Sequence, residues 1–143
     1  MGRQVETPED LLRPDLRAVC VGINPAPKSV RAGHYYQGPV GQKLFSRLHQ
    51  AGVVPAGRGG WQDAEAFAAG VGFTDIVKRP TAKASEVRSE EYEHGGGLLE
   101  AKLEELRPEI VTSPSRRPRR GCSATLPETA SCRASRSVEA TYS

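Results

Sequence analysis

Asn24 and Asp75 are the two side chains in this sequence whose type and placement suit a shared chemical step. Asn24 ends the apolar run Val19-Cys20-Val21-Gly22-Ile23 and stands directly before Pro25. The proline disfavours helix at Asn24, so the chain leaves its strand extended or turning there. An amide held at that point orients a water or a base edge without titrating at neutral pH. Taken alone, an Asn before Pro is more often a turn former. Asp75 lies beside Thr74 near the end of a second apolar run, Val71 to Val77. In a parallel sheet both strand ends open on one side, where ligands bind. Asp75 there reads either as a general base or as a carboxylate satisfied by the Lys78-Arg79 loop. His34 is a tempting acid, but a lone loop histidine is more often solvated or structural.

The elements that must position these residues follow from the apolar pattern. Residues 17–24 predict a strand buried on both faces, as expected inside a parallel sheet. Pro25 to Gly41 is a seventeen-residue Gly/Pro-rich loop, longer than a simple strand-to-helix connection. Leu44, Phe45, Leu48 and Ala51 recur at helical spacing, with Gly52 as the stop. A short Ala/Phe segment after Trp61 is a possible helix, and Val71 to Val77 is the second strand. The spacing of Leu99, Leu103 and Leu106 predicts a helix from about Ser89 to Arg107. Gly95-Gly96-Gly97 is expected to weaken its first half or to mark its true start. Pro108 ends it, and Glu109-Ile110-Val111 starts a third strand. Residues 1–16 read as a polar lead-in rather than an element.

A chain of 143 residues supports one domain with a modest core. Its formal charge of +3 is unevenly spread. Residues 1–110 hold 14 Lys and Arg against 15 Asp and Glu, a net of −1; residues 111–143 hold six Arg against two Glu, a net of +4. The basic character therefore belongs to the tail, and it is weak evidence that the body binds nucleic acid. Cys20 sits in the first strand, and Cys122 and Cys132 lie ten apart in the tail with no CxxC. Neither zinc or iron–sulfur ligation nor a disulfide scaffold is expected from that spacing. No segment resembles a signal peptide or reaches membrane-spanning length, so the expected setting is intracellular and reducing.

Four blocks in order carry a resemblance. They are Gly22-Ile23-Asn24-Pro25, the Gly/Tyr/Pro loop with its following helix, Gly72-Phe73-Thr74-Asp75-Ile76-Val77-Lys78-Arg79-Pro80-Thr81, and the stretch from Ser85-Glu86-Val87 through Glu91 to Gly96 and Lys102-Leu103. Together they resemble mismatch-specific uracil-DNA glycosylases, the group that includes thymine-DNA glycosylase, over roughly residues 17–111. The resemblance implies an α/β fold, a three-layer sandwich around a short central parallel sheet. It implies a monomeric, monofunctional hydrolase that flips a base out of double-stranded DNA. The substrate would be uracil, or thymine and related pyrimidines, in a G·U or G·T mismatch. Asn24 would position the attacking water. Tyr36, twelve residues later, would stack on the flipped base, with Tyr35 one residue off that register. The backbone around Gly22, Ile23 and Tyr36 would meet the pyrimidine edge. Related sequences vary at Asp75, so the resemblance assigns it no general role; its own chemistry suits a base or a stabiliser of the cationic sugar. Lys78 and Arg79 suit phosphate contacts better than catalysis. No metal or organic cofactor is implied, since water is the nucleophile. A prokaryotic bearer would keep such a protein in the cytoplasm, at the nucleoid.

Three departures from that family stand out. Ala26 replaces the usual Gly after the tetrapeptide, and the match around Pro39-Val40-Gly41-Gln42 needs a one-residue insertion. The third is larger. Family members continue after the third strand with a helix, a fourth strand and an Asn-Pro-Ser-Gly-like loop that wedges into the duplex. Here Thr112-Ser113-Pro114-Ser115-Arg116-Arg117 follows at once, and residues 112–143 are expected to be disordered. The change reads either as a lineage-specific basic tail or, as the loss of Lys and Asp favours, as an out-of-frame reading of GC-rich sequence, which would leave the 17–111 domain incomplete. Two other functions compete with the repair enzyme. One is an inactive or weakly active fragment retained as a DNA-binding remnant. The other is a small nucleotide-binding α/β protein, against which stands the absence of GxGxxG or a Walker-type GK[ST].

Overall fold

The computed structural model describes residues 4–55, 57 and 59–112. Its centre is a parallel sheet of three strands: β1 (Ala18–Gly22), β2 (Val71–Asp75) and β3 (Ile110–Thr112), in the order β2-β1-β3. Ala18 lies opposite Val71 on one side and Ile110 on the other, and Gly22 lies opposite Asp75. All five residues of β1 are buried, as are all five of β2. The unbroken apolar run of the sequence is thus explained by helices on both faces.

Alternation along β1 divides the core. Ala18 and Cys20 face one cluster, with Tyr35, Phe45, Val54, Ala66, Val71 and Phe73. Phe45 comes from α2 (Pro39–Gln50) and Ala66 from α3 (Gln62–Ala68). Val19 and Val21 face the other cluster with Leu16, against Leu99 and Leu103 of α4 (Ser89–Leu106). The result is the expected three-layer α/β sandwich. Phe73 is fully buried between its neighbours, and truncating such a ring to Ala typically costs about 3–5 kcal/mol.

Three features of the elements depart from expectation. The Pro25 to Gly41 segment is not one open loop: it holds α1 (Pro27–Ala32) and the start of α2. Each of these helices begins on a proline at its first turn, where the missing N–H has no intrahelical partner to lose. Secondly, α4 runs unbroken through Gly95-Gly96-Gly97. A Cβ on Gly95 would sit 2.0 Å from the Ile76 carbonyl oxygen, so the glycine is what lets α4 press against the end of β2. Close packing there offsets the cost of glycine in a helix. Thirdly, the lead-in is part of the folded unit. Leu11 exchanges both backbone hydrogen bonds with Phe73, at 3.0 Å each, as an antiparallel bridge on β2. Thr112, expected to open the disordered tail, is instead the last residue of β3, paired with Cys20; the expectation for residues 113–143 lies outside the described residues.

Candidate active site

The C-terminal ends of β1 and β2 lie side by side, and their pairing continues past the strands. Ile76 N–H donates to the Gly22 carbonyl at 2.9 Å, Val77 to Ile23 at 2.8 Å, and Thr81 to Pro25 at 3.3 Å. The tetrapeptide Gly22-Ile23-Asn24-Pro25 is therefore strapped along the 75–81 segment. Both Asn24 and Asp75 are brought to this one edge of the sheet.

The strap also fixes the Asn24 amide. Its Nδ2 donates to the Arg79 carbonyl at 3.1 Å and to Thr81 Oγ1 at 2.7 Å. Thr81 spends its own proton on the Lys83 carbonyl, at 2.7 Å, so toward Asn24 it can only accept. Two acceptors on one side leave a single sensible orientation, with the NH2 group turned to the protein. Asn24 Oδ1 accepts no hydrogen bond among the described residues and is the atom left to meet a water or a substrate.

Arg79 is itself clamped. Its guanidinium makes a bidentate pair with Glu91 of α4, at 2.6 and 2.8 Å. Glu91 also accepts the Arg88 N–H at 3.0 Å, closing the first turn of α4. Those contacts, the Arg79 hydrogen bond foremost, hold the Glu91 carboxyl down at about 2. The expectation that Arg79 meets phosphate thus finds its guanidinium in an intramolecular pair.

Asp75 is 4% exposed, and its Oδ2 is buried with no hydrogen-bond partner. Unpaired buried carboxylates are costly, and burial here pushes the Asp75 carboxyl up to about 7, with Lys78 opposing and Asp10 adding to the rise. Gly22 makes the space it occupies. A Cβ on Gly22 would lie 2.0 Å from Asp75 Oδ1 and 3.2 Å from the Tyr36 hydroxyl oxygen. The glycine of the tetrapeptide is required because two buried polar groups converge on it.

Tyr36 reaches that corner by its hydroxyl, which is buried and unpartnered like Asp75 Oδ2. Its backbone is left-handed, at φ 56°, and its ring packs edge-on against Phe73 and Phe45 with centroids 5.9 and 6.3 Å apart. Burial, then the Asp75 charge, holds the phenol well above its ordinary pKa, so it stays a neutral donor. Tyr35 points elsewhere. It is 2% exposed, its ring packs on Phe73, and its hydroxyl donates to Asp10 Oδ1 at 3.2 Å. Its N–H donates to Asp63 Oδ2 at 2.8 Å. His34 stacks on Trp61 with centroids 4.0 Å apart, and its Nδ1 lies 2.9 Å from Asp63 Oδ1.

Sequence reasoning missed Asp10, a carboxylate with four side-chain partners. Its Oδ1 accepts from Lys78, from Thr74 Oγ1 at 2.9 Å and from Tyr35, while Oδ2 accepts from Lys102 at 2.9 Å. Nothing local marks it, because every partner lies 25 to 92 residues away. Thr81 stood inside a recognised block, but its role as the acceptor that orients Asn24 is visible only in three dimensions.

A short parallel sheet with helices on both faces and polar groups gathered at its carboxyl edge defines an α/β protein with a strand-end site. Residues 9–117 match the family model of the uracil DNA glycosylase superfamily, and the chain belongs to that superfamily. The match starts one residue before Asp10 and so takes in the segment bridged to β2. Membership places the chain among DNA-repair glycosylases, hydrolases of base excision repair that act on DNA. Among the described residues no helix is long and apolar enough to cross a membrane, and no group of three or more His, Cys, Asp or Glu is placed to hold a metal ion.

Proposed function

We propose that this chain excises uracil, and with it thymine or related pyrimidines, mispaired with guanine in double-stranded DNA. The target base is flipped into the corner between Gly22, Tyr36 and Asp75. The observation that carries the reading is the fixed Asn24 amide, whose free oxygen lies at the carboxyl edge of the sheet. Asn24 Oδ1 accepts a hydrogen bond from the attacking water and aims its oxygen at the sugar carbon. The new C–O bond forms as the C–N bond breaks, and that electron pair leaves with the base. An amide cannot take the water's proton with any strength, and a carboxyl poised near neutrality can. Asp75 is the group to receive it, its unpartnered Oδ2 acting as the acceptor. Ile23, backbone-bonded to Val77, holds the main chain beneath the base. The Tyr36 hydroxyl is a donor for a pyrimidine carbonyl, and its ring wall limits pocket width. Tyr35 supports this wall from the core.

The test is excision from a G·U duplex, read by strand cleavage at the abasic product. Asn24→Ala should lower the single-turnover rate by about 100-fold or more, the scale on which positioned groups act, with duplex affinity largely kept. Undiminished excision in that variant would overturn the reading. A second reading, DNA binding without turnover, is favoured by the six arginines beyond residue 110. It predicts that the unaltered chain retards the duplex and releases no base in the same assay.

A further inference from the structure

Lys78 follows Asp75 by three residues, and its ammonium lies close enough to favour the Asp75 charge. Yet Asp75 Oδ2 has no partner, because that ammonium is turned to Asp10 and to Thr74 Oγ1, the latter at 3.1 Å. The buried Asp75 and the partly buried Asp10 thus compete for one cation, and the competition is biased. Asp10 also takes the Thr74 and Tyr35 hydroxyls and a second cation, Lys102, from α4. Burial pushes the Asp10 carboxyl up, but the bonds from Lys102 and Lys78 outweigh it and hold Asp10 below its ordinary range. The titratable groups whose charges reach Asp75 are Lys78, Asp10 and the Tyr35 and Tyr36 phenols.

We propose that Asp10 is a positioning residue for the site: by capturing the Lys78 ammonium it keeps Asp75 free of an ion-pair partner, available to accept a proton. The catalytic meaning rests on the reading of Asp75 given above, while the capture itself does not. A lysine paired to Asp75 would hold it ionised but occupied, a weaker base near neutral pH. The N-terminal segment would then set the proton affinity of a group 65 positions away.

The capture is tested by titrating Asp75 in the full chain through its carboxyl carbon by NMR, the signal assigned from its absence in Asp75→Asn. In Asp10→Asn the released Lys78 turns to Asp75, and the midpoint falls by at least about one pH unit, the lower end of what an adjacent cation does. In Asp10→Asn/Lys78→Met the fall should be largely abolished relative to Lys78→Met alone, a cycle that isolates the pairwise effect. An unchanged or higher midpoint in Asp10→Asn overturns the proposal. So does an equal fall in the Lys78→Met background, which would make Asp10 act by its own charge. If Asp10→Asn does not fold, the Lys78 ammonium nitrogen of the unaltered chain decides. A shift that stays flat through the Asp75 midpoint supports capture, and a step there overturns it. The acid limb of the excision profile should move down with the midpoint in Asp10→Asn. Full excision by Asp75→Asn would remove Asp75 from the chemistry while leaving the capture result standing.

Discussion

Asp63 and Asp75 are both buried carboxylates next to a tyrosine of the same loop, exposed by 1% and 4%, and they could hardly be handled more differently. Asp63 is fully employed. Its Oδ1 takes the His34 ring and the Ala64 N–H, both at 2.9 Å, and its Oδ2 takes the Tyr35 N–H. Among the described residues Asp75 Oδ2 has no partner, and Oδ1 crowds a glycine on which an equally unpartnered phenol also converges. Buried polar atoms are normally satisfied, so an orphan in a native fold calls for a reason. At the His34 corner the carboxylate ties a loop to α3 and the aromatic stack covers it. At the strand-end corner an unsatisfied group is retained, as expected where a substrate or a water supplies the missing bonds. Burial alone therefore does not tell the two carboxylates apart; the count of partners does.

The same isosteric change at the two positions should act with opposite sign. Asp63→Asn places an amide donor where only donors approach, and should destabilise the fold by about 2–3 kcal/mol in urea unfolding. A loss below a few tenths would dissolve the contrast. Gly95→Ala probes the packing that holds the strand-end corner in place. Its Cβ meets backbone, not a flexible side chain, and a cost of about 2 kcal/mol is expected by the same measurement. Asp75→Asn should instead stabilise the chain at pH 8, by on the order of 2 kcal/mol. Folded Asp75 keeps its proton to about pH 7, whereas the ordinary value for the unfolded chain is 3.8. Between those values the folded state holds the extra proton, so the unaltered chain loses stability as the pH rises from about 4 to 7. The gain in Asp75→Asn should vanish at pH 4, and a gain equal at both pH values would show that ionisation is not its source.

The smallest effect is expected at Glu91. Its carboxyl is held down at about 2 from an ordinary 4.5, so its contribution is present above pH 4.5 and disappears as the pH falls toward 2. Glu91→Gln should lower the melting temperature slightly at pH 7 and not at pH 2. Excision should slow modestly as the Arg79 carbonyl beneath Asn24 loosens. A variant with unaltered melting and rate at pH 7 would show that α4 does not support the site.

What the sequence made legible was short-range. The β-branched run ending in Gly22-Ile23-Asn24-Pro25 announces β1 and its exit, and the block 72–81 announces β2, because strand burial and proline leave local marks. The leucine spacing places α4 within a residue of where it stands. Illegible were the features made by distant partners. Asp10 looks like an ordinary polar residue until Lys78 and Lys102 arrive from 68 and 92 residues away. Gly95 looks like a helix breaker until the Ile76 carbonyl shows why no Cβ fits. Nothing local shows that the Tyr36 ring lies edge-on to Phe45 and Phe73. Two prolines inside an apparent loop looked like punctuation and are helix starts.

The hydrogen bonds that orient Asn24 come from residues 55 and 57 positions downstream. At ordinary translation speeds of about 5–20 residues per second, that separation is a wait of roughly 3–11 s on the ribosome. Throughout that interval Asn24 has been synthesised but its amide lacks both of the acceptors that orient it. The amide can thus be oriented only after the 79–81 segment has emerged to meet a strand made long before.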